Sequence, residues 1–172
     1  MTRNMRHRLY STTNPVADYA ATPDRQQVVP AVHAGIAPIE SLSTGIVRMP
    51  GHDHTPPSLR TRSESTIFVV HGLVATLVGP ELERTYLHSP HAIMMLGKGV
   101  PYVRVNLSTE VAMILESSTD PRFDADVDPI PRLSILAGAR AAEVQHDYRN
   151  GRYHDQLKAA SWSTAVWHVD AP

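Results

Sequence analysis

The sequence contains no cysteine, so disulfide bonds and cysteine-ligated zinc are excluded. It has only two lysines, Lys98 and Lys158, and its 16 basic residues nearly balance its 17 acidic ones. This balance argues against nonspecific nucleic-acid binding, which needs a basic face. No run approaches the roughly 20 apolar residues that cross a bilayer, and residues 1–15 lack the apolar core of a secretory signal. We therefore expect a soluble, cytoplasmic protein that binds neither membranes nor nucleic acids.

The residues that are present favour a β-protein. The chain has 172 residues, the length of one domain, enough to bury roughly 70% of the unfolded surface. Its 14 prolines and many β-branched residues favour short strands and turns over a helical bundle. Spacings of about 8–12 residues between strand signals suggest a sandwich or barrel. The predicted strands are residues 45–49, 66–71, 73–78, 85–88, 92–96, 100–106 and 110–117, with a tight hairpin at Gly72.

The two ends differ from this β-rich centre. Residues 1–30 are polar and predict an arm, which either lies over the surface or a partner subunit or forms a tail. Residues 31–133 form the barrel, of which 120–133 are rich in Asp and Pro and predicted to be irregular. Residues 134–172 predict a helical cap or tail. Within it, Ser134 caps a helix to about Tyr148, a short helix includes Gln156–Ala160, and Trp162 and Trp167 anchor the end.

Two segments resemble the conserved motifs of the cupin superfamily. Residues 64–72 resemble the end of the first motif, where a Glu opens a strand that runs to a turn Gly, and residues 45–50 resemble the strand before it. Residues 91–106 keep the spacing of the second motif, with Tyr102 where the motif has a His. The resemblance covers roughly residues 40–133. It implies a double-stranded β-helix (jelly-roll) barrel, a homodimer and a small-molecule substrate.

The resemblance allows two interpretations of a metal site. Cupins offer two His from a His-x-His, a Glu shortly afterwards and a His from the second motif. The first interpretation uses the visible histidines, His52 and His54, with Glu64 as ligands for Fe or Zn. It requires a longer loop than usual, because His52 precedes Glu64 by twelve residues.

The second interpretation keeps the family spacing back from Glu64. Ser58, Arg60 and Glu64 then fill the first-motif positions, and Tyr102 fills the last. A guanidinium group is permanently charged and cannot ligate a cation, so this interpretation predicts a site with no metal and no other cofactor. It is the interpretation we favour.

Alternation along a regular strand places Ser58, Arg60, Arg62 and Glu64 on one face. Arg60 is then predicted to bind an oxyanion, and Glu64 beside it to stay ionised and act as a base.

Tyr102 is predicted to donate a proton to the oxyanion, on a strand face that it shares with Arg104 and Asn106. The predicted catalytic residues are therefore Glu64, Tyr102 and Arg60. The predicted substrate-binding residues are Ser58, Arg62, Arg104, His52 and His54, of which the two histidines lie near the barrel mouth.

These residues predict a metal-independent acid–base enzyme acting on a small carbonyl compound. Cyclisation, isomerisation or epimerisation, and dehydration all fit. The resemblance extends to tailoring enzymes of secondary metabolism and antibiotic biosynthesis, including polyketide cyclases. Two alternatives remain open: a metal-dependent oxygenase or cyclase using His52, His54 and Glu64, and a non-catalytic binding protein whose Arg–Glu pair and Tyr102 are structural.

Overall fold

The computed structural model describes residues 26–160. Most of the predicted arm and the segment with Trp162 and Trp167 lie outside the described residues. The described strands are β1 (Gln27–Val32), β2 (Ser43–Met49), β3 (Ser58–Arg60), β4 (Ser65–His71), β5 (Val74–Val78), β6 (Arg84–His88), β7 (Ile93–Leu96), β8 (Tyr102–Asn106), β9 (Ala112–Ser118) and β10 (Val127–Pro129). The helices are α1 (Ser134–Arg149) and α2 (His154–Ala160).

The strands form two five-stranded antiparallel sheets, which confirms the all-β prediction. The first sheet has the order β1-β2-β9-β4-β7, and the second has the order β10-β3-β8-β5-β6. Because β1 begins at Gln27 and pairs with β2, the barrel begins before residue 31, the boundary predicted from composition. The segment 120–133 is not wholly irregular, since it contributes β10 to the edge of the second sheet.

The predicted hairpin at Gly72 is wrong. Strands β4 and β5 lie in different sheets, so the chain passes from one sheet to the other at this glycine. Gly72 has a φ of +89°, and a Cβ atom here would lie 2.8 Å from the Cβ of Ala112. A glycine is needed because residues with a side chain rarely adopt this backbone conformation, and because a side chain here would also collide with the neighbouring strand β9.

The space between the sheets is divided into an apolar half and a polar half. Alternate residues of the first sheet point inward, and Val47, Met49, Ile67, Val69 and Ile114 form a fully buried apolar cluster. Beyond this cluster, the inward residues of β3, β8 and β9 become Arg60, Arg104 and Glu116, which are also buried. The fold therefore positions charged groups inside a closed interior.

Helix α1 packs on the outer face of the second sheet. Its buried residues Ala137, Ala141 and Val144 belong to the same apolar cluster as Val103 and Val105 of β8. The predicted helix and its end before Gly151, which has a φ of +78°, are confirmed. Ser134 is not the cap, because the residue before the helix is Leu133 in a 3-10 turn and no side chain caps the end. No helix in residues 26–160 is both long and apolar enough to span a bilayer.

A buried histidine makes the stability of this fold dependent on pH. His88 of β6 lies inside the second sheet, and its Nε2 is 3.0 Å from the Thr76 hydroxyl. Burial, together with the nearby positive charge of Arg104, lowers the pKa of His88 from 6.5 to about 4. The unfolded chain therefore binds more protons than the folded chain between these two values, and stability falls as the pH is lowered through this window.

We expect His88 to account for up to about 3 kcal/mol of the loss of unfolding free energy between pH 6.5 and pH 4, from a shift of about 1.4 kcal/mol per pKa unit. His88→Gln keeps a hydrogen-bonding group for Thr76 and removes the titration. Urea denaturation across this pH range should give a shallower slope for His88→Gln than for the wild type. The control is His71→Gln, at an exposed histidine; an equal change of slope in both variants would contradict the assignment to His88.

Candidate functional site

A cavity of about 270 Å³ opens between the polar halves of the two sheets. Both sheets contribute apolar lining residues, Val28 and Val47 from the first sheet and Val127 from the second. The polar side chains in the lining include Thr55, Ser58, Tyr102, Arg104, Glu116 and Asp124. Small-molecule sites commonly combine an apolar lining with a few convergent polar groups, so this cavity is the candidate site.

Glu116 of β9 binds two arginines from the facing sheet. Its Oε1 accepts from Arg60 Nη2 at 2.9 Å, and its Oε2 accepts from Arg104 Nη1 at 2.8 Å. All three side chains are at most 3% exposed. Burial alone would raise the pKa of Glu116, but the two guanidinium groups outweigh it and hold the pKa below its usual range. Glu116 therefore stays ionised, with both oxygens occupied.

Arg60 is held by further acceptors behind the cavity. Its Nη1 donates to the Phe123 carbonyl at 3.1 Å and to Asp126 Oδ1 at 2.9 Å. The other Asp126 oxygen accepts from the amide and the hydroxyl of Ser63, at 2.8 and 2.6 Å. This network fixes the Arg60 guanidinium in one orientation, since a buried charged group is stable only when its hydrogen bonds are made.

Asp124 is the acidic group at the rim of the cavity. Its Oδ1 accepts from Arg60 Nη2 at 3.1 Å, while its side chain remains 43% exposed. Burial and the negative charge of Glu116 raise the pKa of Asp124, and the attraction of Arg60 offsets this only in part. A carboxyl group with a raised pKa and access to a cavity is a candidate proton acceptor for a bound compound.

Tyr102 lines the same cavity as this acid. It is directly opposite Ser58 of β3, so both side chains point to the interior. Its ring lies 4.8 Å from the Arg104 guanidinium carbon, a cation–π contact. Burial raises the pKa of Tyr102, against the lowering effect of Arg104, so the phenol is a proton donor throughout the neutral range.

Four of the predicted site residues do come together. Ser58, Tyr102 and Arg104 line the cavity, and Arg60 lies directly behind it in contact with Glu116. The inward direction of these side chains could be predicted from the sequence because β3 and β8 are regular strands, in which every second residue points inward.

The placement of Glu64 and Arg62 in the cavity is wrong. Strand β3 ends at Arg60 and β4 begins at Ser65 in the other sheet, so alternation is interrupted between them. Glu64 is exposed and pairs through its backbone with Thr119. Arg62 is 64% exposed, and its guanidinium group lies 4.0 Å from the carboxylate of Asp120. The expected Arg60–Glu64 pair is replaced by Arg60–Glu116.

The two loop histidines also lie outside the cavity. His52 is exposed, with a φ of +59°, and its carbonyl accepts from Gln145 of α1 at 2.7 Å. His54 is paired with Val105, whose side chain belongs to the cluster under α1, so His54 faces away from Tyr102 and Arg104. Helix α1 supplies no residue to the cavity lining either. The C-terminal segment described here therefore does not cap the cavity.

The most important groups missed from the sequence are Glu116, Asp124 and Asp126. Glu116 follows Ala112 and Ile114 at two-residue intervals, so a charge continues the buried face of an otherwise apolar strand. This alternation could have been used to predict that Glu116 points into the interior. The two aspartates carried no such signal, because their segment reads as an acidic, proline-rich loop and only the fold brings it against Arg60.

The residues in the cavity do not fit a divalent metal. Arg60 and Arg104 place two guanidinium groups at the centre of the site, and a guanidinium group is permanently charged and cannot act as a metal ligand. The carboxylate between them has both oxygens committed to guanidinium groups. Among residues 26–160, no group of three or more His, Asp or Glu side chains could hold a metal ion, so the set His52, His54 and Glu64 lacks the necessary geometry.

Solved structures resemble this architecture at low sequence identity. The oxalate decarboxylase of Lactobacillus farciminis, solved as a formate complex, overlaps with a TM-score of 0.55 at 15% identity, over 62% of this chain and 32% of that one. A Klebsiella pneumoniae protein with a double-stranded β-helix domain overlaps with a TM-score of 0.52 at 9% identity, over 60% and 83%. The chain has the cupin fold.

The comparison extends to the fold and no further. The cupin domain of Schizosaccharomyces pombe Cnp3 overlaps more loosely, with a TM-score of 0.47 at 14% identity, over 55% of this chain and 61% of that one. No protein-family model and no curated protein matches the sequence. Because one cupin fold hosts many chemistries, the function has to be argued from the cavity.

We expect Glu116→Gln to destabilise the protein by about 3–5 kcal/mol, because it leaves two buried guanidinium groups without their shared counterion. Denaturant titration at neutral pH measures this change. The control is Glu110→Gln, whose side chain is 78% exposed; it should alter stability by less than about 0.5 kcal/mol. Equal stability of the two variants would show that Glu116 does not neutralise the arginines.

Proposed function

We propose that this cupin is a metal-independent enzyme that acts on a small carbonyl compound by general acid–base catalysis, with Asp124 and Tyr102 as the catalytic residues. The observation that carries the proposal is their position in one cavity: a partly exposed acid with a raised pKa and a buried phenol line the same space. Two groups with different proton affinities, both facing one cavity, suit a reaction that removes one proton and donates another.

Asp124 is a better base than Glu116. Both oxygens of Glu116 are bound to guanidinium groups and its pKa is lowered, so it has little affinity for a proton. Asp124 has the opposite properties, since its pKa is raised and its side chain is partly exposed. The base that we first assigned to Glu64 is therefore reassigned to Asp124, while Tyr102 keeps its predicted role.

The proposed step is enolisation. The ionised Asp124 carboxylate removes a proton from the carbon next to the carbonyl group. The electron pair of the C–H bond forms a C=C bond, and the π electrons of the C=O bond move to the oxygen. The Tyr102 phenol donates its proton to that oxygen, which gives an enol. The buried positive charges of Arg104 and Arg60 stabilise the negative charge that develops on the oxygen and on the phenol.

Several reactions begin with this step. Return of the proton to the other face gives epimerisation, and return to another carbon gives isomerisation. Loss of a β-hydroxyl gives dehydration, and attack of the enol on a second carbonyl gives cyclisation. The earlier resemblance to secondary-metabolite tailoring enzymes and polyketide cyclases is compatible with each of them, and a cytoplasmic homodimer remains part of the proposal.

Catalysis can be tested without knowledge of the natural substrate. In D₂O, an enzyme that enolises a carbonyl compound exchanges the protons beside the carbonyl for deuterium, and ¹H NMR follows the loss of their signals. A panel of small ketones and aldehydes would be incubated with the protein. We expect exchange above the uncatalysed rate for those members that fit the cavity of about 270 Å³.

We expect Asp124→Asn and Tyr102→Phe each to lower the exchange rate by roughly 10²–10⁴-fold, the usual contribution of a general acid or base. Circular dichroism and thermal unfolding check that both variants are folded. Glu64→Gln separates the two assignments of the base: loss of exchange would restore Glu64, whereas an unchanged rate fits its exposed position. Binding of carbonyl compounds without any exchange would favour the non-catalytic binding protein.

A further inference from the structure

Strand β7 leaves one edge of the first sheet without a neighbour. The sheet order places β4 on one side of β7 and no described strand on the other. Apart from the ladder with β4, the backbone groups of residues 93–96 form no hydrogen bond with another described residue. A strand edge with free N–H and C=O groups is a template for pairing with another chain.

The other edge strands carry groups that oppose such pairing. Strand β1 contains Pro30, β10 contains Asp128 and Pro129, and β6 begins with Arg84. Proline and charged side chains commonly protect the edge strands of natural proteins. The sequence of β7, IMML, has neither, so β7 is the least protected edge among the described strands.

The side chains of β7 add an exposed apolar surface to this edge. Met94 lies opposite the buried Ile67 and therefore points into the barrel. Alternation then directs Ile93 and Met95 to the outer face of the sheet, where they are 67% and 66% exposed. Neighbouring apolar side chains with this exposure commonly mark an interaction surface.

Two copies of β7 match each other when they pair in an antiparallel arrangement. Identical antiparallel strands are related by a twofold axis, and directly opposite residues point to the same face of the sheet. With the axis at Met94, Ile93 lies opposite Met95 of the partner subunit, and Met95 lies opposite the partner's Ile93. The exposed side chains of both copies are then paired with each other, and β7 brings no charge into the contact. An axis between two residues would instead place an outward side chain opposite an inward one.

We propose that β7 pairs with β7 of a second copy of this chain about a twofold axis at Met94. Two sheets of five strands each then form one continuous sheet of ten. A second copy is favoured over an unrelated protein because the exposed residues of β7 complement each other in this register. The inference gives a surface to the expected homodimer and goes beyond the proposed catalysis, since β7 contributes no residue to the cavity lining.

The absence of cysteine allows the register to be tested by disulfide cross-linking. Ile93→Cys and Met95→Cys variants of the full chain would be prepared separately, mixed and treated with oxidised glutathione. The Cα atoms of directly opposite residues lie about 4.5–5.5 Å apart, a distance that a disulfide spans. The same residue in the two copies forms a diagonal pair at about 7–8 Å, which is too far. We therefore expect a covalent dimer from the mixture on a non-reducing gel, and little from either variant alone.

Ile135→Cys is the control for cross-links that form by random collision. Ile135 is 90% exposed, but it lies on α1, which packs on the outer face of the other sheet. Mixed with Met95→Cys, the Ile135→Cys variant should give no covalent dimer.

A charge on the same edge should separate the subunits. We expect Met95→Lys to raise the dissociation constant of the dimer at least about tenfold, roughly 1.4 kcal/mol, because a lysine on an edge strand opposes pairing. Sedimentation velocity across a dilution series measures this constant. Ile135→Lys is the matched control and should dimerise as the wild type does, and circular dichroism checks that both variants are folded.

A wild type that stays monomeric at high concentration would overturn the inference and leave β7 to another protein. An unchanged dissociation constant for Met95→Lys would also overturn it, as would cross-linking that is equal in the mixture and in the single variants. These outcomes differ from failure of the proposed catalysis. Deuterium exchange by a monomer would keep the enzyme and remove this interface, whereas the expected cross-link without any exchange would do the reverse.

Discussion

The bridge from Glu116 to Arg60 and Arg104 is the interaction on which the rest of the site depends. It joins the first sheet to the second at two points, with distances of 2.9 and 2.8 Å. A buried carboxylate is costly to desolvate, and only two well-placed counterions with direct hydrogen bonds make it stable there. The bridge therefore sets how close the sheets lie at the polar end, and the cavity is the space left beside it.

This bridge also sets which charged groups lie at the cavity. In the interpretation of the sequence that we favour, Ser58, Arg60, Glu64 and Tyr102 correspond to the ligand positions of metal-binding cupins, and three of these residues, Ser58, Arg60 and Tyr102, lie at or directly behind the cavity. The same positive charges that disfavour a metal attract carboxylates, and three acidic side chains gather around two arginines. Burial and the negative charge of Glu116 raise the pKa of Asp124, whereas the two guanidinium groups lower the pKa of Glu116, so Asp124 holds its proton more tightly.

The sequence predicted the regular parts of this arrangement because each strand carries its own pattern. The inward positions of Arg60, Tyr102 and Arg104 follow from alternation within β3 and β8. Glu64 could not be placed this way, since the chain changes sheets between residues 60 and 65 and alternation has no meaning across that change. Local sequence patterns also do not show which strands pair with each other. The connection between β4 and β5 has the turn glycine of a hairpin, but it joins strands of two different sheets. The acids of 120–133 acquire their roles only from contacts distant in sequence.

The position of Asp124 depends on the strained residue before it. Phe123 has φ and ψ of 61° and −104°, an unfavourable backbone conformation for a residue with a side chain, with a cost of about 1–3 kcal/mol. Two contacts hold it: its carbonyl accepts from Arg60 at 3.1 Å, and its ring fills the space over Gly45. A Cβ atom on Gly45 would lie 2.4 Å from that ring, so the small residue on β2 is required for the ring to stay buried. The glycine, the strained phenylalanine and the arginine thus act as one unit, which directs the next carboxyl group towards the cavity rim.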